Sequence, residues 1–152
     1  MSKGDARVLA IASGGGHWVQ LRRIAAGLAN AEVVYVTTLA SYRSEVAPAE
    51  FHVVQDASRW DRWKLLLMVT QVVWLVVRKR PDVIITTGAA PGYIALRVGK
   101  ILGAQTVWVD SIANVDELSL SGQKARKHAD LWLTQWPHLA REGGPLYCGA
   151  VL

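Results

Sequence analysis

The sequence predicts a Rossmann-like α/β domain with a doubly wound, mostly parallel sheet. Short apolar runs alternate with helical stretches from one end of the chain to the other. The most glycine-rich loops follow predicted strands directly, as expected where a strand turns into a helix. A chain of 152 residues is long enough for one domain with its own core and too short for two ordinary ones. We therefore predict a single domain over residues 1–152.

The first half of the chain alternates between strand and helix patterns. A helix is predicted over 17–29, where apolar residues recur near helical spacing, and a longer one over 61–79, ending before Pro81. The predicted strands are the apolar or β-branched runs 7–12, 32–37 and the weaker 51–54.

The second half repeats the alternation. A helix is predicted from Pro91 to Leu102, and a basic helix over 123–128. The predicted strands are 82–87, 105–109 and 131–134. In such a fold the functional residues lie on the loops at the carboxyl ends of the strands, near the point where the strand order reverses.

The composition narrows the possible functions. Apolar residues make up 51% of the chain and charged residues 19%, which excludes a disordered chain. A chain of this composition has more apolar side chains than a small domain readily buries, so contact with a partner or a membrane surface is expected. The net charge of +5 favours anionic partners. Nucleic acid is not expected, because basic and aromatic residues do not interleave on a strand and no helix-turn-helix pattern occurs.

The chain has one cysteine, Cys148, which fits a reducing compartment and is expected to be a small buried apolar residue. The apolar run before the glycine loop is too short for a signal peptide. No group of His, Cys, Asp or Glu has the spacing of metal ligands, so no metal is predicted.

The loop after the first strand, Ser13-Gly14-Gly15-Gly16-His17, gives the sharpest functional signal. Consecutive glycines let the backbone turn tightly and present N–H groups to a ligand, and the positive end of the following helix points to the same place. The pattern favours a phosphate or diphosphate site. The alternative is a tight turn that needs glycine for its geometry alone.

This loop does not match the common nucleotide fingerprints. A dinucleotide site would need a third glycine near Val19 and an acidic residue near 37–39, and neither is present. No Gly-Lys-Ser/Thr follows, which excludes a P-loop. No cofactor is therefore expected.

His17 and Asp110 are the candidate catalytic residues. His17 begins a helix beside the glycine loop, where its imidazole could accept a proton, hold a phosphate or only cap the loop. Asp110 closes the fifth predicted strand, where it could act as a base, accept a sugar hydroxyl or only cap a helix.

The predicted helix over 61–79 contains a 13-residue apolar run at 65–77. A helix of that length spans roughly 20 Å, short of the ~30 Å hydrocarbon core of a bilayer. One side is predicted to pack on the sheet through Leu65, Leu66, Val69, Val72, Val73 and Val76. The opposite side carries Trp60, Trp63, Lys64, Leu67, Gln71, Trp74 and Arg78.

Three tryptophans next to basic residues are unusual on a solvent-facing helix. Amphipathic aromatic and basic side chains are typical of a helix lying at an anionic membrane interface. A protein interface is the alternative, because tryptophan and arginine are enriched there as well.

Several motifs occur in a fixed order along the chain: S-G-G-G-H after a strand, an apolar helix rimmed by basic residues, T-T-G-A-A-P-G, V-W-V-D-S-I-A-N, and L-W-L-T-Q-W-P. In this the sequence resembles the Alg14 family, the membrane-associated subunit of the eukaryotic dolichol-linked N-acetylglucosaminyltransferase. It resembles the bacterial PssD-like polysaccharide-biosynthesis proteins more closely still. The resemblance extends from Arg7 to about Tyr147.

The resemblance implies one half of an inverting GT-B glycosyltransferase split over two chains. This chain would be the N-terminal half, peripheral on the cytoplasmic face of the inner membrane, holding a polyprenyl-diphosphate-linked sugar acceptor for exopolysaccharide or capsule synthesis. A partner subunit, the C-terminal half, would bind most of the UDP-sugar donor. The alternative is a non-catalytic membrane scaffold that recruits and activates the partner.

The resemblance also implies roles for individual residues. The loop from Ser13 to Gly16 would face the acceptor diphosphate, with His17 beside the reacting hydroxyl. The cleft would be lined by Thr87, Gly88, Ala89 and Gly92, and bounded near the donor by Asp110 and Ser111. The sequence departs from the family pattern after the fifth strand, where Asp110-Ser111 and Asn114 stand in place of Glu-Ser with a nearby Arg.

Overall fold

Within the residues that the structure describes, 5–58 and 60–151 of this computed structural model, seven parallel strands form one sheet. The strand order is β3-β2-β1-β4-β5-β6-β7, and every neighbouring pair is parallel. The predicted α/β class is confirmed, while the ends of the predicted 1–152 domain lie outside the described residues. The strands are β1 Ala6–Ile11, β2 Ala31–Thr37, β3 Glu50–Val53, β4 Val83–Thr86, β5 Gln105–Val109, β6 Leu131–Thr134 and β7 Leu146–Tyr147.

Helices join the strands and lie on both faces of the sheet. Because the chain builds outward from β1 to β3 and then from β4 to β7, the order reverses between β1 and β4, which is the topological switch point. The helices are α1 Gly16–Ala25, α2 Arg43–Val46, α3 Arg62–Lys79, α4 Ala89–Ile101 and α5 Leu120–Ala125, with 3₁₀ turns at Ala40–Tyr42 and Pro137–Leu139.

The two faces of the sheet carry separate apolar cores. In β1, Leu9 and Ile11 point to the side covered by α3, α4 and α5, whereas Val8 and Ala10 point to the side covered by α1. A strand buried on both faces has no polar alternation, which explains why β1 is a continuous apolar run in the sequence. On the α1 side the largest buried side chain is Trp18.

The predicted helix ends were less accurate than the strands. Helix α5 begins three residues earlier than predicted because Ser119 caps it, its side chain accepting a hydrogen bond from Gly122 N. Helix α1 ends at Ala25, four residues earlier than predicted. Strand β7 and the short helical segments at 40–46 were not predicted. Cys148, predicted to be buried, is exposed on the segment that follows β7.

Candidate functional site

The loops after β1 and β4 meet at the switch point, because these strands are direct neighbours in the sheet. His17, in the first turn of α1, places its Nδ1 atom 2.8 Å from the carbonyl oxygen of Thr87. The Thr87 hydroxyl in turn donates to the His17 carbonyl oxygen at 2.6 Å. Two predicted site residues that lie 70 positions apart are thus joined by a reciprocal pair of hydrogen bonds.

These contacts define the orientation and the tautomer of the His17 ring. A carbonyl oxygen only accepts hydrogen bonds, so Nδ1 carries the proton and Nε2 of the neutral ring keeps its lone pair. The ring lies against Gly88, where an added Cβ would come within 2.8 Å of the ring atom Cε1. His17 is half-buried, and its Nε2 forms no hydrogen bond with the described residues.

The glycine loop has an open half at the start of α1. Gly15, at φ +69°, precedes the helix, no side chain caps the helix, and Gly15 and Gly16 are exposed. The first N–H groups of a helix have no partner within it, and they carry the positive end of its dipole. The start of α1 is therefore compatible with anion binding, which stays a prediction.

The other half of the loop is occupied by residues that follow β2. Gly14 N donates to the Thr38 hydroxyl at 3.2 Å, and Gly15 N donates to the Tyr42 hydroxyl at 3.0 Å. A Cβ on Gly14 would lie 2.7 Å from the Leu39 side chain. The amide of Gly14 is therefore committed to the turn, contrary to the expectation that it faces a ligand.

The loop after β4 is more deeply buried than predicted. Thr87 and Gly88 are buried, and His17 lies over Gly88. Gly92 does not line a cleft: a Cβ there would lie 1.9 Å from the Thr86 hydroxyl, so this glycine allows α4 to pack closely on β4. Ala89 remains half-buried at the loop, with φ +67°.

Asp110 is 1% exposed, and both carboxylate oxygens are fully engaged. Oδ1 accepts from Trp108 Nε1 at 3.1 Å and from the Ser119 hydroxyl at 2.6 Å. Oδ2 accepts from Asn114 Nδ2 at 3.1 Å and from Ser119 N at 2.9 Å. A carboxylate with four donors and almost no exposure is poorly placed to take a proton from substrate. Of the alternatives for Asp110, only the structural one fits this geometry.

A buried amide network connects α1 to the loop after β5, and the sequence analysis missed it. Gln20 places Nε2 3.3 Å from the hydroxyl of Ser111, and its Oε1 accepts from Ile112 N at 3.1 Å and from Gln135 Nε2. Gln135 Nε2 also donates to the carbonyl oxygen of Asp110 at 3.0 Å. The available signal was a glutamine on the otherwise apolar, sheet-facing side of α1, since buried amides need partners. Ser111, predicted at the donor side of the cleft, is 7% exposed and belongs to this network.

The tryptophan-bearing surface of α3 is exposed. Trp63 is 81% exposed, Trp60 83% and Trp74 58%, with Leu67 and the basic Lys64 and Arg78 beside them. Two assignments on α3 were wrong, because the buried side is centred on Met68, Val72, Leu75 and Val76. Leu66, predicted to pack on the sheet, is exposed, whereas the half-buried Gln71 accepts from Gln55 N at 2.7 Å.

The direction of α3 relates this surface to the site. Since β3 and β4 are parallel, the helix that joins them runs back from the carboxyl edge of the sheet to its amino edge. Trp60 and Trp63 therefore lie at the edge that holds the glycine loop. Among the described residues, every helix is too short or too polar to cross a bilayer.

The fold defines the class of protein. It is similar to MurG from Acinetobacter baumannii, with a TM-score of 0.76 at 12% identity over 93% of this chain and 45% of that chain. It is also similar to a UDP-N-acetylglucosamine 2-epimerase from Rickettsia bellii, with a TM-score of 0.68 at 11% identity over 88% of this chain and 40% of that chain. The molecule has a Rossmann-like fold similar to that of the N-terminal domains of GT-B glycosyltransferases, and it spans less than half of either chain.

The sequence defines the family. Residues 52–150 match the family described as "Oligosaccharide biosynthesis protein Alg14 like", and the chain belongs to this family. It is 26% identical over 167 residues to "UDP-N-acetylglucosamine transferase subunit ALG14" of Mus musculus, covering 88% of this chain and 76% of the relative. The relative of the same name from Schizosaccharomyces pombe is 36% identical over 85 residues, which is 51% of this chain and 39% of that protein. The resemblance drawn from the motifs is confirmed.

Proposed function

We propose that this chain is the acceptor-binding, membrane-attached subunit of a two-chain, inverting UDP-sugar glycosyltransferase. Its substrate would be a polyprenyl-diphosphate-linked saccharide in exopolysaccharide or capsule synthesis, at the cytoplasmic face of the inner membrane. The names of the relatives favour N-acetylglucosamine as the transferred sugar. The observation that carries the proposal is the His17 ring, which is held at the switch point by Nδ1 while its Nε2 has no hydrogen-bond partner in the described part of the chain.

The open half of the glycine loop supports binding of the acceptor diphosphate. The uncapped start of α1 offers the backbone N–H groups from Gly16 onward, and the positive end of the helix, to negative charge. A diphosphate bound there would lie beside His17, the first side chain of α1 after the loop. The sugar next to the diphosphate would then be close to the ring.

The position of His17 fits a general base. The acceptor hydroxyl would attack the anomeric carbon of the donor, a new C–O bond would form, and the bond to the UDP oxygen would break with inversion. The hydroxyl proton would pass to His17 Nε2, and UDP would leave with the electron pair. Because Nδ1–H is bound to the Thr87 carbonyl oxygen, the same contact orients the ring and stabilises the charge it gains.

Binding of the UDP-sugar donor is assigned mainly to a partner subunit. The chain corresponds to 45% of the MurG chain whose fold it shares, and a GT-B enzyme binds its substrates between two halves. The partner would supply the second half and most of the UDP-sugar site. No cofactor is needed for this displacement.

Membrane attachment is assigned to α3. Its exposed tryptophans and leucines can enter the lipid interface, while Lys64 and Arg78 remain at head-group level. Since Trp60 and Trp63 lie at the same edge as the glycine loop, a lipid-linked acceptor can reach the site without leaving the membrane surface. This arrangement suits a substrate anchored in the bilayer.

One observation favours a second candidate, a non-catalytic scaffold that recruits and activates the partner. Thr38 and Tyr42 of this chain already occupy two glycine N–H groups of the loop, and Asp110 is saturated. Both features are compatible with a loop that only shapes an interface.

The variant His17→Ala separates the two functions. The complex with its copurified partner is assayed with UDP-N-acetylglucosamine and a polyprenyl-diphosphate-linked acceptor. We expect turnover to fall by about 10²–10⁴-fold while the complex survives gel filtration, because a general base contributes about that much. His52→Ala is the matched control, since His52 lies on the edge strand β3 and bonds to Glu50. Full activity of His17→Ala would exclude catalysis by this residue and favour the scaffold.

A further inference from the structure

The hydroxyl group of Tyr42 lies at the open half of the glycine loop. Tyr42 ends the 3₁₀ turn that follows β2, and its Oη accepts a hydrogen bond from Gly15 N at 3.0 Å. A Cβ on Gly14 would lie 3.7 Å from the same oxygen, whereas the space around a Cβ on Gly15 is open. The hydroxyl is therefore at the boundary between the filled half and the open half of the loop.

The Thr38 hydroxyl, which accepts from Gly14 N at 3.2 Å, is the contrasting case. A Cβ on Gly14 would lie 2.7 Å from the Leu39 side chain, so this part of the loop is filled. Gly15, in contrast, is exposed. Of these two hydroxyls, that of Tyr42 is therefore the one that contacts the exposed part of the loop.

The Tyr42 hydroxyl keeps its own hydrogen available to a ligand. A phenol oxygen accepts as well as donates, whereas a backbone N–H only donates, so the oxygen is the acceptor in its contact with Gly15. The hydroxyl hydrogen forms no hydrogen bond with the residues that the structure describes. A hydroxyl that accepts one hydrogen bond is polarised, which strengthens the bond that it donates.

The ring of Tyr42 is held in place by α1 and α2. It stacks on the buried Trp18 indole, with the ring centres 5.0 Å apart and the ring planes inclined by 6°. Trp18 Nε1 donates to Glu45 Oε2 at 3.0 Å, and Glu45 also forms an ion pair with Arg22. Because Trp18 and Gly16 belong to the same helix, these contacts fix the hydroxyl relative to the start of α1.

Tyr42 is close enough to the start of α1 for one ligand to contact both. Consecutive backbone nitrogens are less than about 4 Å apart, which puts the hydroxyl within about 7 Å of Gly16 N. A diphosphate is long enough to accept hydrogen bonds from both groups. One diphosphate can therefore be bound by the hydroxyl and the helix start together.

We propose that Tyr42 is a binding residue for the acceptor diphosphate, with a hydroxyl that accepts from Gly15 N and donates to a diphosphate oxygen. The inference rests on the proposed diphosphate site and adds a side chain to it. It also explains why an amide of an anion-binding loop is bonded to a side chain, since the hydroxyl passes the effect of that amide on to the ligand. The alternative is a hydroxyl that must leave before the diphosphate binds, and the stacking on Trp18 opposes such a displacement.

The test is calorimetric titration of the full chain with geranyl diphosphate, a short isoprenyl diphosphate. A parallel titration with UDP distinguishes the diphosphate of the acceptor from that of the donor. Tyr42→Phe keeps the ring and its stacking on Trp18 and removes only the hydroxyl. We expect the Kd for geranyl diphosphate to rise about 10- to 100-fold, the range for one hydrogen bond to a charged group.

Tyr35→Phe is the matched control. The Tyr35 ring also packs on Trp18, at 5.8 Å, while its hydroxyl forms no hydrogen bond within the described part of the chain. This substitution should change the Kd less than about twofold. An equal loss of affinity in Tyr35→Phe would overturn the inference, because the effect would then come from the aromatic cluster and not from the hydroxyl at the loop.

The other outcomes separate the inference from the proposed function. If wild type binds geranyl diphosphate and Tyr42→Phe binds it equally well, the role of Tyr42 is excluded and the diphosphate site stands. Tighter binding by Tyr42→Phe would also overturn the inference, because the hydroxyl would then block the Gly15 amide. So would a loss of affinity confined to UDP, which would assign the hydroxyl to the donor. If wild type binds neither compound, the diphosphate site itself fails, and the inference fails with it.

Discussion

The loops after β1 and after β5 both place an ionisable side chain at the carboxyl edge of the sheet, yet the two side chains differ in what remains available. His17 Nδ1 binds the Thr87 carbonyl oxygen in the loop after β4, whereas Nε2 forms no hydrogen bond with any residue that the structure describes. Both carboxylate oxygens of Asp110 accept hydrogen bonds, from four donors on Trp108, Asn114 and Ser119. A polar residue at a strand end is therefore a candidate for chemistry only if the fold leaves one of its atoms without a partner. Position in the fold alone does not distinguish the two.

The largest effect on stability is expected at Asp110. Asp110→Ala leaves the buried indole N–H of Trp108 and the partly buried N–H of Ser119 without an acceptor, and each buried group left unpaired costs about 1–3 kcal/mol. We expect the free energy of unfolding, measured with urea, to fall by about 3–5 kcal/mol. Asp116→Ala, at an exposed position of the same loop, should change it by less than about 0.5 kcal/mol. A loss below about 1 kcal/mol at Asp110 would contradict the structural role.

The next largest loss of stability is expected at Gly88. In Gly88→Ala the alanine must adopt φ +130°, and its Cβ lies 2.8 Å from the His17 ring. We expect a loss of about 2–3 kcal/mol in stability, together with reduced turnover because the ring is displaced.

Gly103→Ala is the matched control, since φ there is +85° and the space around an added Cβ is open. It should cost about 1–2 kcal/mol and leave turnover unchanged. Equal turnover in wild type and Gly88→Ala would contradict the positioning of His17 by this glycine.

A smaller change in stability is expected at His17 itself. His17→Ala removes one hydrogen bond to Thr87 and should lower the free energy of unfolding by about 1 kcal/mol. Its effect on turnover should be far larger, the reverse of the pattern at Asp110. Equal decreases in the free energy of unfolding for His17→Ala and Asp110→Ala would contradict the different roles assigned to the two residues.

The smallest predicted effect is a pH dependence of stability caused by His128, which lies outside both loops. Because burial, followed by repulsion from Arg97 and Lys127, lowers the pKa of His128 in the folded protein, the folded state favours the neutral ring. The contribution of His128 to stability is fully present above its pKa in the unfolded chain, about 6.5. It is lost as the pH falls through its lower pKa in the folded protein. We expect a modest decrease in Tm between about pH 7 and pH 5 that is smaller in His128→Gln. An identical pH dependence in both proteins would exclude His128 as its source.

The secondary structure was predicted best at strands. The runs 105–109 and 131–134 match β5 and β6 in their bounds, because short runs rich in β-branched, aromatic and aliphatic residues mark a strand locally. Helix ends were predicted less well, because they depend on capping contacts such as Ser119 to Gly122. Strand β7 has only two residues and pairs with β6, so no local pattern marks it.

The sequence predicted where the candidate site lies, but not which of its N–H groups and ring nitrogens remain available to a ligand. The glycines after β1 and the position of His17 follow from local pattern, since a strand, a tight turn and a helix start are encoded by neighbouring residues. Which groups remain available depends on distant residues: Thr38 takes the amide of Gly14 from 24 positions away, and Thr87 fixes the ring of His17 from 70.

Local patterns along the chain were sufficient to predict the α/β architecture, the glycine loop and an exposed aromatic surface on α3. They could not predict that Asp110 is saturated, that Gly92 serves helix packing, or that His17 Nε2 has no hydrogen-bond partner among the described residues. Apolar periodicity and turn geometry are local properties of the chain. Hydrogen-bond saturation depends on which distant groups the fold brings within about 3 Å of one another.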